Sequence, residues 1–184
     1  MNIVRTFAVV ENCLFSVLYE GEIIHEFRRL FNLWRNAEYL EQFFYEHQND
    51  LNRNIWRNIS IKEAILKTQK DAKRLEKKLI DIAERGKTNR YETLSTLFKP
   101  LENNPDRLDQ LEKSKTYGLI KPSWLRIYAI RINTNVFMVS GGAIKLTQSM
   151  NERPHLIQEL EKLNVVKNYC RDNFDIDTEL MELH

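Results

Sequence analysis

Ser123-Trp124-Leu125-Arg126-Ile127-Tyr128-Ala129-Ile130-Arg131-Ile132, then Asn133-Thr134-Asn135, then Val136-Phe137-Met138-Val139-Ser140-Gly141-Gly142, is the stretch on which the fold turns. Residues 123–132 alternate with the period of a strand. Leu125, Ile127 and Ala129 fall on one face, and Trp124, Arg126, Tyr128, Ile130 and Ile132 on the other. Residues 133–135 read as a turn, and residues 136–140 as the returning antiparallel strand. The glycine pair permits a bulge or bend, after which residues 143–147 continue as a third strand or as an extension of the second.

Downstream, Pro154 is placed to open a helix that sets Leu156, Leu160, Leu163, Val166 and Tyr169 at helical spacing. Upstream lies a helical block. Ile24, Phe27, Phe31 and Trp34 give a short amphipathic helix, and Asn36 reads as the N-cap of the next, with Leu40, Phe43, Phe44, His47 and Leu51 on one face. His47 at that apolar edge reads as a packed histidine rather than a ligand. Residues 50–58 read as a loop. Ser60-Ile61-Lys62-Glu63 has the form of a capping box opening a long helix that Gly86 ends. The lysines along that helix read as a solvated face. Residues 94–101 read as a helical turn or an extended piece packed by Leu97 and Phe98, and residues 100–105 as a loop. At the N-terminus, residues 6–19 are rich in Phe, Val, Leu and Tyr but broken at Glu11-Asn12, so they form a hairpin or one bent strand. Strands, then helices, then a meander, then a helix make an α+β layer fold: an N-terminal strand or hairpin, a long helical hairpin, a small antiparallel sheet and a C-terminal helix.

The 184 residues suit one domain spanning 1–184, with an acidic tail from about 172. No apolar run is long enough to cross a bilayer and no signal peptide is seen, so a cytoplasmic protein is expected. Cys13 and Cys170 read as free thiols in a reducing compartment. The net charge of +2 conceals an asymmetry. Residues 113–150 hold six bases (Lys113, Lys115, Lys121, Arg126, Arg131 and Lys145) and no acid, whereas residues 151–184 hold eight acids and four bases. Concentrated positive charge attracts phosphate.

Nucleotide-binding glycine loops, a nucleophile elbow and zinc spacing are all absent, and no metal or cofactor is expected. Arg126 and Tyr128 share a strand face, and Lys145 follows the glycine pair. Such a group can perform phosphodiester chemistry without a metal. A cation stabilises charge on the phosphorane oxygens, and a tyrosine or lysine of shifted pKa takes the proton of a ribose 2′-hydroxyl. Trp124 and Tyr117 offer stacking surfaces, and Lys121 and Lys99 offer backbone contacts. The plainer reading stays open: Arg126 pairs with a helix carboxylate, Tyr128 packs its ring, and Lys145 is an edge-strand charge.

Leu97-Phe98-Lys99-Pro100-Leu101, Trp124-Leu125-Arg126-Ile127-Tyr128-Ala129-Ile130-Arg131 and Gly141-Gly142-Ala143-Ile144-Lys145-Leu146-Thr147 resemble the pattern of RelE/HigB-like toxins of the RelE/ParE superfamily. Over its whole length the chain also resembles a group of uncharacterised Bacteroidetes proteins. The toxin resemblance covers about residues 94–165 and implies a RelE-like fold with an enlarged helical part. It also implies ribosome-dependent mRNA endonuclease activity, or gyrase inhibition as in the ParE branch, and a small helical antitoxin partner. Arg126, Tyr128, Arg131 and Lys145 would take the active-site positions, although strand parity sets Arg131 on the Leu125/Ile127 face. The alternatives are a non-enzymatic protein- or nucleic-acid-binding module and an inactive scaffold. The ribonuclease reading predicts that Arg126, Tyr128 and Lys145 converge in an open positive concavity, whereas a binding module would show them buried or salt-bridged, with an exposed apolar patch elsewhere.

Overall fold

In a computed structural model, residues 1–52, 56, 59–101 and 111–174 are described. The N-terminal stretch is a hairpin. β1 (Ile3–Val10) and β2 (Leu14–Tyr19) run antiparallel, joined at Asn12, whose positive φ of 62° suits the short polar side chain of asparagine. Helices α1 (Glu26–Leu33), α2 (Ala37–Glu46) and the single turn α3 (Gln48–Leu51) follow. Asn36 Oδ1 accepts from the Tyr39 amide at 2.9 Å, as its N-cap position requires. The long α4 (Ile61–Arg85) starts with a complete capping box: the Ser60 hydroxyl accepts from the Glu63 amide, and Glu63 accepts from the Ser60 amide.

After α4 a 3₁₀ turn (Leu94–Thr96) leads into β3 (Lys99–Pro100), so residues 94–101 combine a helical turn with an extended piece. β4 (Glu112–Tyr117), β5 (Leu125–Asn133) and β6 (Val136–Ile144) form the meander, and α5 (Pro154–Asn173) ends the described chain with Pro154 in its first turn. Residues 102–110 and the acidic stretch from 175 lie outside the described residues, as does part of the loop expected at 50–58, whose first two residues belong to α3.

The sheet is larger than the hairpin alone suggested, and it is mixed. Its order is β1-β2-β6-β5-β4-β3, antiparallel throughout except where β2 runs parallel to β6. Crossing back over the helical block is what brings β2 beside β6 in parallel. Residues 143–144 extend β6 rather than starting a new strand. The β5–β6 pairing is irregular at two places: Ser140 is the extra residue of β6 between the pairs Tyr128–Gly141 and Ala129–Val139, and Ile132 is the extra residue of β5 between the pairs Arg131–Phe137 and Asn133–Val136.

Both faces of the sheet are covered. Leu125, Ile127, Ala129, Phe137 and Val139 join one core with Phe27 and Phe31 of α1, Trp34 at its C-cap, Leu40 and Phe44 of α2, and Leu75 and Leu79 of α4. Val17, Tyr128, Ile130 and Met138 join the other with Leu156, Leu163 and Val166 of α5. Cys13 lies in the first core and Cys170 in the second; both are buried and free.

Candidate nucleic-acid interface

β4 brings its residues beside β5 in register: Tyr117 opposite Arg126, Lys115 opposite Tyr128, and Lys99 of β3 opposite Lys115. Directly opposed residues share a face, so Lys99, Lys115, Tyr117 and Arg126 line the side of the sheet that carries Tyr128, toward its β3 edge. The Arg126 guanidinium lies 4.1 Å from the Tyr117 ring centroid, and Lys121 Nζ lies 4.8 Å from it. The Tyr117 ring therefore holds two cations by their attraction to its π face. Arg126 Nη1 donates to the carbonyls of Ser123 and Leu125 at 2.8 and 2.7 Å. Lys145 Nζ donates to the carbonyl of Thr147 at 2.8 Å and to that of Gln148.

Among the described residues, none of Lys99, Lys115, Lys121, Arg126 and Lys145 pairs with a carboxylate. Burial lowers the pKa of Arg126, and burial also lowers that of Lys145, where the Arg126 cation adds to the effect, the Glu152 carboxylate opposes it and Lys115 adds a smaller part. These cations are gathered by main-chain carbonyls and one aromatic ring; the charges of Asp71 and Glu152 act on Arg126 and Lys145 from beyond ion-pair distance. An arriving phosphate supplies an anion at close range.

The loop carrying Lys121 is pinned from α4. Asp71 Oδ1 accepts from the amides of Leu119 and Ile120 at 2.6 and 2.9 Å, and its Oδ2 accepts from the Ser123 hydroxyl at 2.7 Å. Gly118 lies so close beneath Asp71 and Ser123 that a Cβ there would collide with both. The Ser123 carbonyl then receives Arg126, so Asp71, Ser123 and Arg126 form one connected series.

Three residues expected at this site are elsewhere. Tyr128 shares a face with Arg126, but α5 and its approach cover the ring. Its side chain is 1% exposed, its hydroxyl lies against Met150 Sδ at 2.9 Å, and burial holds the phenol above its ordinary pKa. It packs and does not present a reactive oxygen. Trp124 precedes β5 and turns into the helical core. It packs against Phe44 and Trp56, and its Nε1 donates to Thr68 Oγ1 at 2.9 Å. It is a core residue and not a stacking platform. Arg131 lies opposite Glu112 and Phe137, on the parity of Ile127 and Ala129, because the bulge at Ser140 is on β6 and that of β5 comes only after Arg131. It is on the other side of the sheet from Arg126.

A second polar group was not visible in the sequence. Glu26 of α1 is buried and receives Arg29 Nε and Nη2 at 2.8 and 2.7 Å and Lys162 Nζ at 2.7 Å. Lys162 also donates to Glu159 Oε1 at 2.8 Å, while Glu159 Oε2 is buried without a partner and lies against Gly141, where a Cβ would overlap it. Burial pushes the Glu159 carboxyl up to about 7, further than Lys162 pulls it down. His47 is packed, as its position in the sequence implied: its ring centroid lies 4.4 Å from that of Phe43 and 5.0 Å from that of His155. His155 Nε2 lies 3.3 Å from the Ile144 carbonyl. Burial lowers the pKa of both histidines. The only sequence sign of this group was the unusual occurrence of Glu and Lys at i and i+3 on an otherwise apolar stripe of α5.

Among the described residues, no three or more His, Cys, Asp or Glu side chains gather in a way that could hold a metal ion, and no helix is long and apolar enough to cross a membrane. No family model, no curated protein and no solved structure matches the chain.

Proposed function

We propose that this chain is an RNA-directed protein of the RelE/HigB toxin type. It binds single-stranded RNA across Lys99, Lys115, Tyr117, Lys121, Arg126 and Lys145 and cleaves it by attack of a ribose 2′-hydroxyl on the adjacent phosphate. The observation that carries this reading is the cluster of cations without a carboxylate partner around Tyr117 and Arg126. The order of helical block, meander and C-terminal helix is in keeping with the resemblance. Arg126 stabilises charge on the non-bridging oxygens. Lys145, its pKa lowered by burial and by Arg126, takes the 2′-hydroxyl proton. The 2′-oxygen–phosphorus bond forms as the phosphorus–5′-oxygen bond breaks, and the leaving 5′-oxygen takes a proton from solvent, leaving a 2′,3′-cyclic phosphate and a 5′-hydroxyl. Tyr128 has no part in this scheme. A small antitoxin-like protein that covers the cations is the partner this reading implies.

The hydrogen bonds from Arg126 and Lys145 to main-chain carbonyls favour a second reading, in which the strip is a clamp that binds RNA without cutting it. One experiment separates the two. The purified protein is incubated with a 5′-labelled RNA and with the same strand carrying a 2′-deoxy residue at each position in turn. The nuclease reading requires cyclic-phosphate products that vanish with the 2′-hydroxyl and with Arg126→Ala or Lys145→Ala. Binding without products establishes the clamp, and neither binding nor products removes both.

A further inference from the structure

The lysines of α4 read in the sequence as one solvated face, and the structure divides them. Toward and just past its C-terminus the charges pair off: Lys77 with Asp81, Lys87 with Glu84 and Arg85 with Glu92. From Ile61 to Glu76 every carboxylate is engaged elsewhere. Glu63 holds the Ser60 cap, Asp71 takes the amides of Leu119 and Ile120 and the Ser123 hydroxyl, and Glu76 pairs with Arg35. Among the described residues, no carboxylate forms an ion pair with Lys67, Lys70 or Arg74. The charge of Asp71 acts on Lys67 from beyond ion-pair distance. Lys70 and Arg74 are exposed and Lys67 is half-buried.

These three residues follow one another at spacings of three and four, so they share a side of the helix. That side meets the 118–123 loop: Lys67 Nζ donates to the Ile120 carbonyl at 2.8 Å and lies 5.3 Å from the Trp124 ring centroid. A carbonyl and a ring gather Lys67, just as carbonyls and the Tyr117 ring gather Arg126. The same loop carries Lys121 to the Tyr117 ring. Positive charge therefore continues round the end of the sheet, from Arg126 and Lys121 on one face to Lys67, Lys70 and Arg74 on the helix that covers the other. The three helix cations span about 11 Å at 1.5 Å per residue. Leu119 of the loop is 39% exposed, and Leu66 beside Lys67 is 57% exposed. Apolar side chains next to cations serve a strand whose bases are open, whereas a duplex turns its bases inward. We propose that RNA held on the strip continues over the 118–123 loop onto α4, where Lys67, Lys70 and Arg74 take the phosphates of the flanking nucleotides, so that the protein prefers a long unpaired strand. The path from strip to helix rests on the RNA-binding reading above; the helix contact has its own variants.

Labelled oligouridines of about 6 and about 16 nucleotides, carrying 2′-O-methyl groups so that they cannot be cut, are titrated against the full chain at several salt concentrations. On the long strand, Lys70→Ala/Arg74→Ala should make the slope of log affinity against log salt shallower by about 1.4, from two contacts at about 0.7 each. On the short strand, seated on the strip, it should match wild type, and an unchanged thermal midpoint shows the fold intact. Lys70→Arg/Arg74→Lys, which keeps both charges, should bind like wild type, and a loss there as large as in the alanine variant overturns the charge argument. If Arg126→Ala/Lys145→Ala weakens both lengths and Lys70→Ala/Arg74→Ala weakens neither, the path ends at Lys121: the extension is wrong and the strip reading stands. If the helix variant alone weakens the long strand, the strip reading falls and α4 is the RNA contact by itself. Binding to phosphatidylserine vesicles through Lys70 and Arg74, with no effect of either residue on RNA, assigns this side of α4 to a lipid surface and overturns the proposal.

Discussion

Arg126 and Trp124 are two residues apart, and strand alternation sets them on one face; they end in opposite environments. Arg126 lies within β5 and keeps its cation near Tyr117 at the sheet surface, whereas Trp124 sits before the strand begins, where alternation no longer governs direction. The two should therefore respond differently to truncation. Trp124→Ala should cost about 3–5 kcal/mol in denaturant unfolding, as removal of a buried aromatic does. Arg126→Ala should leave stability within about 1 kcal/mol of wild type, since it removes a half-buried side chain from the sheet surface, while weakening RNA binding. Equal destabilisation by both would show Arg126 to be a packing residue. Tyr128 illustrates a limit of strand parity. Alternation assigned it correctly to the Arg126 face, but whether another element covers that face depends on where α5 docks, and no local pattern records that.

At the scale of elements, β4 escaped notice because Glu112-Lys113-Ser114-Lys115-Thr116-Tyr117 carries no branched apolar residue; its inward positions are Ser114 and Thr116, both buried. The capping box, the Asn36 cap and Pro154 were legible because each is a local contact whose partners lie within three or four residues. The link from α4 to the 118–123 loop joins residues about fifty apart in sequence, so no window contains it. Its function can be tested: Asp71→Ala removes three hydrogen bonds and should cost about 2–4 kcal/mol. It should also lower RNA affinity by loosening Lys121 and Arg126, and an unchanged affinity in the folded variant would separate the loop from the site.

The contact of α5 with α1 sets a pH dependence. The charges acting on Glu159 are Lys162 of α5 and Glu26 and Arg29 of α1, and Glu159 in turn acts on Tyr19 of β2 and Tyr39 of α2. The folded protein keeps the Glu159 proton up to about 7, where the unfolded chain has lost it. Its contribution is therefore complete below the ordinary carboxylate range and is lost as pH rises through about 7. Glu26 runs the other way. Burial raises its pKa, but hydrogen bonding to Arg29 and charge on Lys162 hold it below its ordinary value, so its contribution is lost in acid. Glu159→Gln should then stabilise the protein at pH 8 by on the order of 2–3 kcal/mol relative to pH 5. In a chain of this size that is roughly 2–4 °C of thermal midpoint for each kcal/mol. A pH-independent difference between the two proteins would contradict the assignment.

For the molecule as a whole, the order of helical block, meander and closing helix was legible in the sequence, because long amphipathic periods and turn residues carry it. The sheet's parallel β2–β6 join and its burial on both faces were not, since they arise from long-range closure of a hairpin that in sequence precedes every helix. Charge was legible as a segment but not as a place. Residues 113–150 lack any acid, yet only the folded register sets Lys99, Lys115, Lys121, Arg126 and Lys145 together and Arg131 apart. The measurement that bears most directly on this account is the salt dependence of binding to a labelled single-stranded RNA, by fluorescence anisotropy between about 50 and 200 mM salt, for wild type and for Arg126→Ala/Lys145→Ala. Five phosphate contacts predict a slope of log affinity against log salt near −3.5, from about −0.7 per phosphate on a single strand, and the double variant should show a slope shallower by about 1.4. Equal slopes in the two proteins, or no RNA binding by the wild type at low salt, would contradict the claim that this strip is where the chain meets RNA.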